Sequence, residues 1–170
     1  MPINSTYTVQ VNKTIDLVPN SIRASFVTWT DGLSTNIRNI TLSHDEDLYA
    51  LYKTQYHLTV TSSIKGNDID GTGWYYAGSE APFSANLATT DRLLLFDHWT
   101  GDIPSSQVAA NSGSLTMDNP KKITALWKPN YGIIGTIIGI LSGTIAILGK
   151  FRQVILEFIG KFMALVHWKK

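Results

Sequence analysis

Three aromatic residues in a row, Trp74-Tyr75-Tyr76, stand among the glycines Gly71, Gly73 and Gly78. Successive strand residues alternate faces, so the middle ring points away from the other two and at least one ring is turned outward. An outward indole or phenol can stack on a glycan or on a protein, and an inward one fills a core. Both readings stand here: core packing, or an exposed aromatic contact. The four histidines, His44, His57, His98 and His167, have no two at ligand spacing, and no zinc or copper site is expected. Asp68-Ile-Asp-Gly71 shares two carboxylates with a calcium loop but lacks the third oxygen ligand and the closing glutamate of an EF-hand, so it reads as a solvated turn. Asp45-Glu-Asp47 reads as a solvated hairpin end, with a calcium contact as the alternative. No serine sits in a Gly-x-Ser-x-Gly elbow and no nucleotide-binding loop occurs. The absence of cysteine excludes disulfides, thiolate catalysis and cysteine zinc sites. The reading is of a chain that is not an enzyme, with no catalytic residue, no metal and no cofactor.

A second patterned set lies near the C-terminus. Tyr131–Gly149 is an unbroken run without a charge, rich in isoleucine and leucine. At about 1.5 Å per residue it covers roughly 28 Å as a helix, close to the ~30 Å hydrocarbon core of a bilayer, so a transmembrane helix is expected over 131–149. Within it Gly135, Gly139 and Gly143 fall four apart, a smooth stripe that lets a second helix approach closely. Beyond it, Lys150, Gln153, Glu157 and Lys161 step by three or four among apolar residues, which predicts an amphipathic helix over 150–170 at the inner membrane surface, ending on the interfacial Trp168 and Lys169-Lys170.

Charge divides the same way. Residues 1–130 hold nine Lys/Arg against twelve Asp/Glu, a net of −3, and residues 131–170 hold five Lys/Arg against Glu157, a net of +4. The positive-inside rule then places the C-terminus in the cytoplasm and the N-terminal domain outside a single-pass cell membrane. An acidic domain argues against nucleic acid as a partner. The sequons at Asn4, Asn12 and Asn39 all precede the span and are candidate glycosylation sites. Met1–Thr6 offers neither a basic start nor an apolar run, so a mature or trimmed chain is expected.

The elements that must position these residues are short strands. Tyr7, Val9 and Val11 alternate with polar residues, and Ile22–Trp29, Leu48–Lys53, Tyr56–Thr61, Ala81–Asn86, Arg92–Trp99, Ser114–Met117 and Lys122–Lys128 read as further strands. Breakers such as Pro19-Asn20, Asp31-Gly32, Gly66-Asn67-Asp68 and Asn119-Pro120 separate them. The fold class expected is a mainly β ectodomain followed by the two helices.

An internal repeat organises the strands. Ala50-Leu-Tyr-Lys recurs as Ala125-Leu-Trp-Lys, and Phe26-x-x-Trp29 recurs as Phe96-x-x-Trp99. Tyr7–Val11 reads as the same strand as Tyr56–Val60. The expected division is a shortened first module over 1–54 and a second over 55–129. The pattern Gly71-x-Gly-Trp-Tyr-x-x-Gly78, Phe96-x-x-Trp99-x-Gly-Asp102, Leu115-Thr-Met117 and Ala125-Leu-Trp-Lys128 resembles the divergent internalin B-repeat-like modules of bacterial and archaeal cell-surface proteins. That resemblance implies a surface module serving as spacer, adhesive or envelope element, without a shared active site. Three readings of function remain open: an envelope or adhesion element displaying β modules, an accessory subunit of a membrane enzyme complex docked through its C-terminal helices, or a glycan binder using Trp74–Tyr76. The partners expected are the lipid bilayer, other membrane helices or a self-associating copy, and a cell-surface glycan or envelope protein.

Overall fold

The structure, a computed structural model, describes residues 5–45, 47–65, 68–86 and 93–167, with helix side chains as far as Lys161. It is mostly β, with one long apolar C-terminal helix. The elements are β1 (Thr6–Gln10), β2 (Thr14–Val18), β3 (Ile22–Trp29), β4 (Ile37–Thr41), β5 (Ala50–Ser62), β6 (Asp68–Asp70), β7 (Gly73–Tyr76), β8 (Glu80–Asn86), β9 (Leu94–Gly101), β10 (Ser112–Thr116), β11 (Lys121–Pro129) and α1 (Tyr131–His167). By compactness the chain divides into one unit of Met1–Ala88 with Phe96–Trp127, and a second of Thr89–Leu95 with Lys128–Lys170.

In the first unit β2-β3-β5-β11-β9 form a sheet that β7 joins through β5, β10-β8-β6 form a second sheet, and β1-β4 form a two-stranded one. β5 runs antiparallel to β3 and β7 but parallel to β11, with Leu58 opposite Lys121 and Ser62 opposite Ala125. Burial follows the two-residue period of a strand: in β8, Ala81, Phe83 and Ala85 are buried while Glu80, Pro82 and Asn86 are exposed. These three join Leu58, Val60, Trp99, Leu115, Met117, Ile123 and Ala125 in one buried cluster. Each large aliphatic residue so enclosed contributes about 1.5–3 kcal/mol.

The strand pair β1-β4 and the pair β8-β10 share one register. Thr6 lies opposite Thr41 and Val9 opposite Arg38; Glu80 lies opposite Thr116 and Phe83 opposite Gly113. A constant step along each strand therefore carries the first pair onto the second. Just past each pair, Val11 N–H donates to the Asn36 carbonyl at 2.9 Å and Ala85 N–H to the Asn111 carbonyl at 2.8 Å. Tyr7–Val11, expected to match Tyr56–Val60, is therefore matched in its pairing by Ala81–Ala85 of β8.

Other expectations shift with it. The strands expected over Leu48–Lys53 and Tyr56–Thr61 merge into one, β5, which starts only at Ala50 and runs uninterrupted across residue 54/55 to Ser62. The polar stretch between them does not break it because Gln55, 8% exposed, is satisfied there by Arg23, whose Nε donates to Gln55 Oε1 at 2.8 Å. Asp68-Ile-Asp70 is the short strand β6 against β8, not a turn. Gly71 follows it at φ 116°, where a Cβ would lie 2.6 Å from the Pro82 carbonyl oxygen; only glycine fits. Gly66, Asn67 and Glu46 lie outside the described residues.

In the second unit Asn130 starts the helix. Its carbonyl accepts from Ile134 N–H at 3.0 Å, its side-chain oxygen from Ile133 N–H at 3.4 Å, and its own N–H donates to the Leu93 carbonyl at 2.7 Å. The two helices expected over 131–149 and 150–170 run together as α1, continuous through Gly149. One glycine costs a helix only about 1 kcal/mol, and Lys150-Phe-Arg-Gln continues with good helix formers.

Candidate functional site: the aromatic face and the apolar helix

Strand β7 pairs with β5 so that Trp74 lies opposite His57, Tyr75 opposite Tyr56 and Tyr76 opposite Gln55. β3 pairs on the same stretch of β5, bringing Arg23 opposite Gln55. The trio divides as alternation demands. Tyr75 turns to the core, packs against the buried cluster and donates its hydroxyl to the Gly71 carbonyl at 2.9 Å. Trp74 and Tyr76 share the other face.

On that face the Arg23 guanidinium lies 4.4 Å from the Trp74 ring centroid, and the His57 ring meets the indole edge-on at 4.9 Å. Trp74 is half-buried under this cover, leaving Tyr76, 42% exposed, as the most open ring of the three. Arg23 and His57 carry no sequence signal for this role. They reach Trp74 only because β5 lies between β3 and β7.

The other candidate residues are dispersed. His44 is exposed beside Ser43, His57 bonds Thr59 Oγ1 at 3.1 Å, and His98 bonds the Asp97 carboxylate at 2.9 Å. The His167 side chain lies outside the described residues, and among the described ones no three His, Asp or Glu side chains gather to hold a metal. Asp45 and Asp47 are exposed. Asn12 and Asn39 are exposed; Asn39 Oδ1 accepts from Thr8 Oγ1 at 2.7 Å. Asn4 lies outside the described residues.

Among the described residues, three carboxylates are held below their ordinary range. For Glu80 the cause is donation from Thr116 Oγ1 at 2.6 Å and Ser114 Oγ at 2.7 Å. For Asp31 it is chiefly Arg38, and for Asp118 chiefly Lys121 at 2.6 Å. Such groups are fixed anions at neutral pH and poor proton donors.

The helix has a different chemistry. Tyr131–Lys161 is 31 residues with a mean hydropathy of 2.0 in its most apolar window, none of which is buried. At about 1.5 Å per residue that is roughly 46 Å, longer than a ~30 Å hydrocarbon core. Gly135, Gly139 and Gly143 are exposed, and a Cβ at any of them would meet nothing within 4 Å. Thr136 Oγ1 donates to the Gly132 carbonyl at 2.9 Å and Thr144 Oγ1 to the Leu141 carbonyl at 2.8 Å, so both hydroxyls are satisfied within the helix, as an apolar medium requires. Among the described residues there is one candidate membrane-spanning helix, at the C-terminal end. Comparison with known proteins finds no matching family model, no matching curated protein and no matching solved structure.

Proposed function

We propose that the chain is a membrane-anchored contact protein: tandem β modules displayed outside the cell on a single C-terminal span, acting by binding and not by catalysis, as an envelope or adhesion element. The observation that carries the reading is the unburied apolar length of α1. A helix of a soluble domain hides its apolar stripe against a core, and a bilayer is the solvent that accepts one apolar all round. The strand correspondences support two modules that share β5, and the likeness to internalin B-repeat-like modules supports a surface role. The excess of Lys/Arg after Gly149 supports a cytoplasmic C-terminus, with the last part of α1 lying amphipathically at the inner surface.

The exposed glycine stripe favours a second reading, in which α1 docks on other membrane helices and the chain is an accessory subunit of a membrane complex. Protease treatment of intact cells tests the first. Loss of residues 1–130 from outside, with a protected fragment containing α1 that resists alkaline carbonate extraction, is expected. Release of the full chain by carbonate overturns the anchor, and stoichiometric co-purification of other membrane proteins in mild detergent selects the subunit.

A further inference from the structure

The shared register of β1-β4 and β8-β10 gives an internal standard for what each position should bury. Leu115, Met117, Ile123 and Ala125 are all 2% exposed or less. The step that carries Thr41 onto Thr116 makes Ile40, Leu42, Leu48 and Ala50 their counterparts, equally apolar, and none of these is buried. Ile40, Leu42 and Leu48 instead line a small pocket with Arg38. Side-chain type at these four positions does not explain the difference; the strands packed over the second set do, the later part of β5 with Ile69 of β6 and Tyr75 of β7. Leu58 and Val60, 0% and 5% exposed, complete the second cluster because their part of β5 runs parallel to Lys121–Ala125.

Among the described residues no strand runs beside Asp47–Ala50 in the corresponding place. β11 begins at Lys121, but β5 begins only at Ala50, later in the matched register, as if its own strand stopped where the partner is missing. The inner side of this edge is taken: the Tyr49 carbonyl accepts from Thr30 N–H at 3.0 Å, as that of its counterpart Thr124 accepts from Thr100 Oγ1 at 3.4 Å. The outer side is where the parallel partner of the second set lies.

We propose that Asp47–Ala50 is a strand-acceptor edge for another polypeptide. An extended segment with alternating apolar residues adds there in parallel, continuing the β5 sheet, and lays two aliphatic side chains over Ile40, Leu42 and Leu48 as Leu58 and Val60 do over Leu115, Met117 and Ile123. A second copy of this chain cannot donate its own Leu58–Val60 segment, which is held between β11 and the Thr72 side chain that bonds Val60 N and O at 2.9 and 3.1 Å. Charge adds a preference. Thr59 faces Lys122 in the standard, and the counterpart of Lys122 is Asp47, so a basic residue at the Thr59 position of the incoming strand is favoured.

The proposal does not depend on the membrane reading, and its test uses the full chain in detergent micelles with a synthetic peptide copying Gln55–Ser62. Expected are saturable one-to-one binding and at least tenfold slower amide exchange at Leu48 and Ala50. A peptide carrying Thr59→Lys binds several-fold tighter at low salt, and the gain fades as salt rises. A peptide carrying Leu58→Ser and Val60→Ser loses at least tenfold in affinity, as does the chain carrying Leu48→Asp; the peptide variants leave the protein unaltered, so misfolding cannot mimic the result. Unsaturable binding overturns the proposal, and so does protection at Ile123 and Ala125 instead. Protection of Leu48 that rises with protein concentration without peptide overturns it in favour of a second copy.

Discussion

Trp29 and Trp99 make the same two bonds in the same directions. The main-chain N–H of Trp29 donates to the Leu33 carbonyl at 2.9 Å and its indole to the Thr35 carbonyl at 2.7 Å; Trp99 donates to Val108 at 2.9 Å and to Ala110 at 2.8 Å. In both bonds the acceptor lies farther along the chain from Trp99 than from Trp29, so the second loop is longer by the same insertion without disturbing either bond. Each indole also sits in an aromatic chain, Tyr52-Phe26-Trp29 with centroids 5.8 and 5.7 Å apart, and Trp127-Phe96-Trp99 at 5.9 and 5.6 Å.

The surroundings of the two tryptophans differ, and their truncation should differ accordingly. Trp99, 1% exposed, is enclosed by the buried cluster, with Phe83 edge-on at 5.1 Å. Trp99→Ala is expected to cost about 3–5 kcal/mol. Trp29 is itself 3% exposed, but its neighbours Phe26, Tyr52 and Arg38, the last 5.8 Å from the ring centroid, are only half-buried and freer to close on the space it leaves, so Trp29→Ala should cost less. Thermal melting of both variants by near-ultraviolet circular dichroism in detergent checks the order; equal losses would contradict the difference in enclosure.

Two glycines with positive φ separate backbone strain from steric exclusion. At Gly32, φ 88°, an added Cβ meets nothing within 4 Å, so Gly32→Ala should cost only the left-handed backbone term of about 1–2 kcal/mol. At Gly101, φ 101°, a Cβ would overlap the Lys122 carbonyl oxygen and push apart the turn in which Lys122 N–H donates to Asp102 Oδ2 at 2.8 Å. Gly101→Ala should be the more destabilising of the two by a wide margin in the same melting measurement.

Glu80 links the strand register to pH. Its carboxylate is held below the ordinary glutamate range by Thr116 and Ser114, so the unfolded chain takes up this proton at higher pH than the folded one. The stabilisation is complete above the unfolded value and is lost as pH falls through the folded one. Glu80→Gln should flatten that acid limb of a stability-against-pH curve while leaving the curve's shape near neutrality unchanged. An acid limb identical to that of the parent chain would show that the two hydroxyls do not favour the ionised form.

What the sequence disclosed was side-chain likeness, and what it hid was pairing. Phe26/Phe96 and Trp29/Trp99 are legible because the same residue types recur. The match of β1 with β8 is not, since Tyr7 corresponds to Ala81 and Val9 to Phe83. The partner strand compensates: Phe83 faces Gly113, where a Cβ would lie 2.8 Å from the Phe83 ring, and the smaller Val9 faces Arg38. β2 and β4 escape a reading by burial because β2 is exposed throughout and β4 carries Arg38 and Asn39. The face made by Arg23, His57 and Trp74 was illegible for another reason: it is assembled across three strands, and no local spacing records that.

The glycine stripe of α1 gives the last prediction. Gly139→Ile adds a side chain whose Cβ meets nothing within 4 Å in a single chain and replaces a poor helix former, so insertion and helicity should be unchanged or improved. If the stripe is the face on which a second helix packs, the same bulk must hold the two backbones apart. Disulfide cross-linking between single cysteines placed beside the stripe in membranes should then fall several-fold in the Gly139→Ile background. It should be untouched by Ile138→Leu on the neighbouring face. Undiminished cross-linking would mean that the glycines do not form the packing face, leaving the apolar length of α1, and not its stripe, as the feature that acts in the membrane.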